Sequence, residues 1–183
     1  SVRSTAESRE MSRRAIALTL ENLITAVTSP NDTVREQMLL AANYAGQAIN
    51  IARTTAAHSL SYYLTIQHKV PHGHAVALIL PHLLVCNSLF AKTRCHDSRG
   101  SDFVLRRIAD LLNLLQVETP EQAREKLISL VAATGLKTQL SQVGVTITDL
   151  LPMANSSLGS ERAGNNPVSL GSEELNLILR EAL

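Results

Sequence analysis

Aliphatic and small residues recur along this chain with the 3.6-residue period of a helix, and almost nowhere with the two-residue period of a strand. Met11, Ala15, Leu18, Leu20, Leu23, Ile24 and Val27 follow one another until Ser29-Pro30 stops the run, and Ser4 and Glu7 ahead of them have capping-box spacing. From Asp32 the stretch DTVREQMLLAANYAGQAINIA carries Ala41, Ala42, Ala45, Gly46 and Ala48, small residues that admit a neighbouring backbone and so predict a central helix. A third helix is predicted over Thr55 to Gln67. Pro71 disfavours helix for Val70 and suits the start of a new one, which puts His72 and Gly73 in the opening turn of a helix running to about Leu89, with Pro81 a candidate kink. Three further helices are expected at Asp102 to Leu115, Thr148 to about Ser157 and Ser172 to Leu183, and another opens with the capping box TPEQ (119–122) and closes at Gly135. Only VGVTI (143–147) alternates, and briefly. The pattern predicts an all-α fold, a single helical domain of seven or eight helices over residues 1–183.

Composition agrees with helices packed on aliphatic side chains, because aromatics are 3% of the residues and Trp is absent. A net charge of +1 gives no reason to expect nucleic acid or an anionic membrane as partner. Cys86 and Cys95 match neither a CxxC metal motif nor a secreted disulfide framework, so reduced thiols and a cytoplasmic location are expected. The longest apolar stretch, AVALILPHLLVC (75–86), is broken by Pro81 and His82 and falls short of the ~20 residues of a membrane span. No secretory signal opens the chain, which begins at Ser1.

Five of the six histidines (His58, His68, His72, His74 and His82) fall within 25 residues. His58 and His72 sit on consecutive helical elements that a short reversal can fold against each other. Neutral imidazole is the commonest transition-metal ligand, so the pair is a candidate metal site. Their spacing alone leaves open a hydrogen-bonded core histidine beside a surface one. His68 and His74 are expected to be exposed to solvent or to make a simple hydrogen bond, and His82 and His96 to be structural.

Sixty consecutive residues between Glu36 and Asp97 contain no Asp or Glu, yet include Arg53, Lys69, Lys92 and Arg94. Such a run gives positive potential to any site it lines, suiting an anionic substrate or a phosphate-bearing cofactor. Buried Ala-rich helices that exclude charge would produce the same absence of acids.

The segment AAHSLSYYLTIQHKVPHGHAVALILPHLLVCN resembles the signature region of the iron-containing (group III) alcohol dehydrogenases, in which an Ala-rich helix bears one metal-binding His and a PHG bears another fourteen residues later. STAESREMSRRAI, VREQMLLAANYAGQAI and AGNNPVSLGSEELNLILREAL resemble successive helices of the same family, so the likeness spans essentially the whole chain. NIARTTAAHSLSY is most similar to the phosphonoacetaldehyde reductase branch. The resemblance implies the C-terminal helical domain of a dehydroquinate synthase-like fold, with His58 and His72 as ligands of a divalent metal, Fe or Zn. It implies NAD(P) as hydride carrier in the full-length enzyme, bound by an N-terminal nucleotide-binding domain that these residues do not include.

The family completes its metal site with an Asp and a His four residues apart on the helix preceding this region; no acidic residue here has a His four positions later. Tyr62 stands where many members carry a further His near the substrate, and an unperturbed phenol, with a pKa of about 10, does not titrate as an imidazole does. Tyr62 is therefore a candidate substrate contact through a hydrogen bond, and Arg53 a candidate anion contact. The expected function is the metal-binding half of an alcohol dehydrogenase or aldehyde reductase, with phosphonoacetaldehyde as a candidate substrate. The isolated chain is expected to be inactive and, with apolar surface exposed, to self-associate into a homo-oligomer. The competing expectation is a non-catalytic helical scaffold, whose partner binding would survive replacement of both histidines.

Overall fold

The computed structural model describes residues 1–183. Eight helices of eight or more residues follow one another: α1 (Ala6–Thr28), α2 (Asp32–Ala52), α3 (Ala56–Gln67), α4 (His72–Phe90), α5 (Ser101–Leu115), α6 (Pro120–Ala133), α7 (Leu150–Ser157) and, after the single-turn α8 (Glu161–Gly164), α9 (Ser172–Ala182). There are no strands; an isolated antiparallel bridge joins Cys95 to Val168.

Local chemistry explains most boundaries. Thr119 caps α6 by accepting from the Gln122 amide at 3.2 Å, and the Gln122 side chain accepts from the Thr119 amide at 3.3 Å. At α1 the box is shifted by one residue from the expected Ser4 and Glu7: Thr5 accepts from the Ser8 amide at 3.1 Å, and the Ser8 hydroxyl accepts from the Thr5 amide at 2.9 Å. Ser8 is buried, and a hydroxyl closes the box there without bringing a carboxylate inside. VGVTI is not a strand. Val143 ends one 3₁₀ turn (Ser141–Val143) and Ile147 begins another (Ile147–Asp149), with Val145 buried between them.

The core is built by α3, α4, α7 and α9. Leu60 and Leu64 of α3 meet Ile79 and Leu83 of α4, Met153 of α7 and Leu175, Ile178 and Leu179 of α9, all essentially without exposure. α6 packs on the outer side of α4. α4 is long and apolar enough to match a membrane span by length and composition, yet here Ala75, Leu78, Ile79, Leu83 and Cys86 are buried against other helices. A smaller cluster of Ala91, Val104, Ile108 and Val168 seats α5. α1 lies along α2 as a hairpin.

The turn from α2 to α3 is tight. Arg53 ends α2 with φ 58° and ψ 174°, a region that costs a non-glycine residue of order 1–3 kcal/mol. Asn165 offsets that strain, because its side-chain amide donates to the carbonyls of both Ala52 and Thr54 at 2.9 Å. The start of α3, and with it His58, is thereby fixed from outside the helix.

Candidate metal centre

The closely spaced histidines disperse in space, with one exception. His74 hydrogen-bonds the Lys137 carbonyl at 2.7 Å, and His96 the Asn166 carbonyl. His68 is not in open solvent: it caps α3, and its Nε2 faces Asp149 at 3.7 Å. His82 is buried in α4 with its Nδ1 unpartnered. Burial pushes the His82 pKa down, and the charge of Arg124 adds to that.

His58 and His72 do come together. His58 stands in the first turn of α3 and His72 is the first residue of α4, so two helix starts meet at one point. Their ring centroids are 5.3 Å apart, edge to face at 64°. Two imidazoles bound to one ion through nitrogens at about 2.1 Å, subtending roughly 90–110°, have centroids about 4.6–5.3 Å apart. The observed spacing fits two adjacent coordination positions.

Ser61 links the pair. Its buried hydroxyl donates to the His58 carbonyl at 2.8 Å and lies 3.2 Å from Nδ1 of His72. A hydroxyl has one proton, and here the His58 carbonyl takes it, so Nδ1–H of His72 must donate to the Ser61 oxygen. That tautomer leaves the lone pair of His72 on Nε2, the arrangement an orienting hydrogen bond imposes on a ligating imidazole. Burial holds the His58 pKa below the usual imidazole value, and the neighbouring His72 and Arg162 push the same way. Each of these favours the neutral form of His58.

On the other side of His72, the Tyr62 ring stacks at 5.5 Å and 24°, and the Arg162 guanidinium lies over Tyr62 with Cζ 5.0 Å from the ring centroid. Tyr62 is thus beside the imidazole pair. Arg53 is not brought there. It is exposed at the end of α2 and lines a separate cavity of about 1000 Å³ between α1, α2 and α5, which none of His58, Tyr62 and His72 borders. Nowhere in the chain do three or more His, Cys, Asp or Glu side chains assemble as a ligand set.

Ser61 and Arg162 were absent from the sequence expectations. Ser61 could have been found, since it lies three residues after His58 on the same helical face. Arg162 is over a hundred residues from His58 and no local pattern marks it.

The C-terminal region of the Fe-containing alcohol dehydrogenase family matches residues 1–183. Phosphonoacetaldehyde reductase of Streptomyces viridochromogenes is 33% identical over 187 residues, a match covering 99% of this chain and 45% of that protein. 1,3-Propanediol dehydrogenase of Klebsiella pneumoniae is 28% identical over 170 residues, covering 92% of this chain and 43% of that one. A solved 1,3-propanediol oxidoreductase superposes with a TM-score of 0.81 at 27% identity, covering 99% of this chain and 46% of that chain. The chain thus spans less than half the length of the relatives it matches.

Proposed function

We propose that this chain, which belongs to the Fe-containing alcohol dehydrogenase family, supplies His58 and His72 as two ligands of a divalent iron or zinc ion in an NAD(P)-dependent alcohol dehydrogenase or aldehyde reductase. The observation that carries this is the edge-to-face imidazole pair at 5.3 Å, formed where two helix starts meet. When bound, such an ion supplies Lewis-acid polarisation of the substrate oxygen while hydride passes between substrate carbon and nicotinamide.

The chain's own residues do the rest. Burial of His58 favours its neutral form, and Ser61 holds His72 in the tautomer that presents Nε2. Tyr62, flat against His72, forms a wall of the site and offers a phenol hydroxyl that can donate to substrate. Residues 1–183 alone offer two imidazoles, which hold an ion loosely, so the chain by itself turns over nothing. The substrate we propose is a phosphonate-bearing aldehyde, in keeping with the 33% identical phosphonoacetaldehyde reductase and with the acid-free sequence around both histidines.

The test is turnover by the metal-loaded full-length protein with NADH or NADPH, using phosphonoacetaldehyde and propanal as substrates. His58→Ala and His72→Ala should each abolish reduction of both aldehydes. Undiminished reduction by either variant would refute the assignment.

A further inference from the structure

We propose that Arg162 is the residue that selects an anionic substrate, its guanidinium binding the oxyanion group of a short aldehyde whose carbonyl lies at the imidazole pair. This inference rests on His58 and His72 marking the reacting end of the site.

Three observations point to Arg162. The first is availability. The Arg162 side chain is exposed and takes part in no salt bridge or hydrogen bond, although an acidic residue adjoins it in sequence. That neighbour, Glu161, is engaged by Arg3 at 2.8 Å. Neither α3 nor α4 carries a carboxylate that could compete, since both lie within the acid-free stretch.

The second is position. The guanidinium covers one face of Tyr62, and Tyr62 stacks on His72. The Tyr62 ring therefore touches both the free cation and the imidazole pair, and the charge of Arg162 also reaches His58. A short molecule with its carbonyl oxygen at the histidines can place its other end at Arg162. A cation–π contact of this kind occupies none of the guanidinium N–H groups, leaving them free for two parallel bonds to a phosphonate.

The third is that the backbone carrying Arg162 is tied down on both sides. Before it, Ser160 caps α8 by accepting from the Ala163 amide at 3.1 Å and shares a 2.7 Å hydrogen bond with Ser59 of α3. Ser59 accepts in turn from the fully buried Ser157 hydroxyl at 2.9 Å. After it, Asn165 grips the α2–α3 turn through the Ala52 and Thr54 carbonyls. A four-residue helix has little stability of its own. These ties register it against the helix that carries both His58 and Tyr62. They explain why one turn here is rigid, and Arg162 is the only side chain on that turn that reaches the stack.

The experiment uses the metal-loaded full-length protein and two substrates, phosphonoacetaldehyde and propanal, with ethylphosphonate as a non-reacting probe whose binding is followed by calorimetry. Arg162→Gln should raise KM for phosphonoacetaldehyde, and weaken ethylphosphonate binding, by about 10- to 100-fold, as expected for loss of a hydrogen-bonded charge pair. KM for propanal should change far less than KM for phosphonoacetaldehyde, because a neutral substrate never forms the pair. Arg162→Lys should recover part of the loss, since it restores charge without the bidentate fork. Unchanged ethylphosphonate binding in Arg162→Gln overturns the proposal, and so does an equal loss with both aldehydes. Failure to bind ethylphosphonate in the unmodified protein overturns it too. The metal assignment is read separately: if His58→Ala and His72→Ala keep full activity with propanal, that reading fails, whatever Arg162 does.

Discussion

Removing the Ser59 hydroxyl gives a graded test of how α8 is held. Ser59 is nearly buried on α3, Ser157 on α7 is fully buried, and the Ser157 hydroxyl donates to Ser59 at 2.9 Å. In Ser59→Ala that buried donor has no partner, while Ser160 keeps its bond to the Ala163 amide and still caps α8. An unsatisfied buried hydroxyl costs about 1–3 kcal/mol. For a chain of this size, a loss of about 2 kcal/mol lowers Tm by about 4–8 °C. Ser59→Ala/Ser157→Ala removes both hydroxyls, leaves no orphan, and should recover more than half of that loss. Differential scanning calorimetry of the four proteins in the cycle measures this directly. Additive losses in the double variant, with no recovery, would refute the claim that the Ser59 hydroxyl is what satisfies the buried Ser157 donor.

Further expectations follow from other buried contacts. Leu60 is fully buried in the main core, so Leu60→Ala should cost about 2–5 kcal/mol in chemical denaturation. Asp97 is buried and paired with Arg99 at 2.6 Å, and the guanidinium holds its carboxyl below the usual range. A depressed carboxyl contributes its full stability above the unfolded pKa, about 3.9, and loses it as pH falls through the folded value. Asp97→Asn should therefore be destabilised at pH 7 but not relative to the native sequence in strong acid, as paired denaturant titrations will show. Burial pushes the Cys86 thiol up to about 11, so an alkylating reagent at pH 8 should label the half-buried Cys95 first and Cys86 only on unfolding.

Helices were legible in the sequence where period, caps and breakers agreed. α6 combines an aliphatic stripe with the capping box read at Thr119 and Gln122 and a glycine stop, α1 has its stripe and the Ser29-Pro30 stop, and Pro71 placed the start of α4 to within a residue. VGVTI alternates without forming a strand because it serves two 3₁₀ turns whose register is set from afar: the Leu140 amide donates to the Ala182 carbonyl at 2.8 Å, tying this loop to the end of α9. The single turn α8 left no periodic signal, since four residues complete barely one repeat.

The site was half legible for the same reason. His58, Tyr62 and His72 lie on two adjacent helices, and their spacing could be read along the chain. Arg162 reaches Tyr62 only because Ser160 and Asn165 dock a distant turn, and that is a tertiary contact with no local trace. Arg53 drew notice as a cation between helical segments, yet its backbone turns away at φ 58° and its side chain serves the opposite cavity. The acid-free stretch leaves α3 and α4 without a carboxylate, but Arg162 lies far outside it and could not be read from it.

Metal content measured on the full-length protein after loading with Fe(II) or Zn(II), dialysis and elemental analysis tests the central claim most directly. The native sequence should hold a stoichiometric ion, and a Ser61→Ala variant should hold it about 10- to 100-fold more weakly because His72 loses its orienting bond. His58→Ala and His72→Ala should retain essentially none. Stoichiometric metal in both histidine variants would contradict the account.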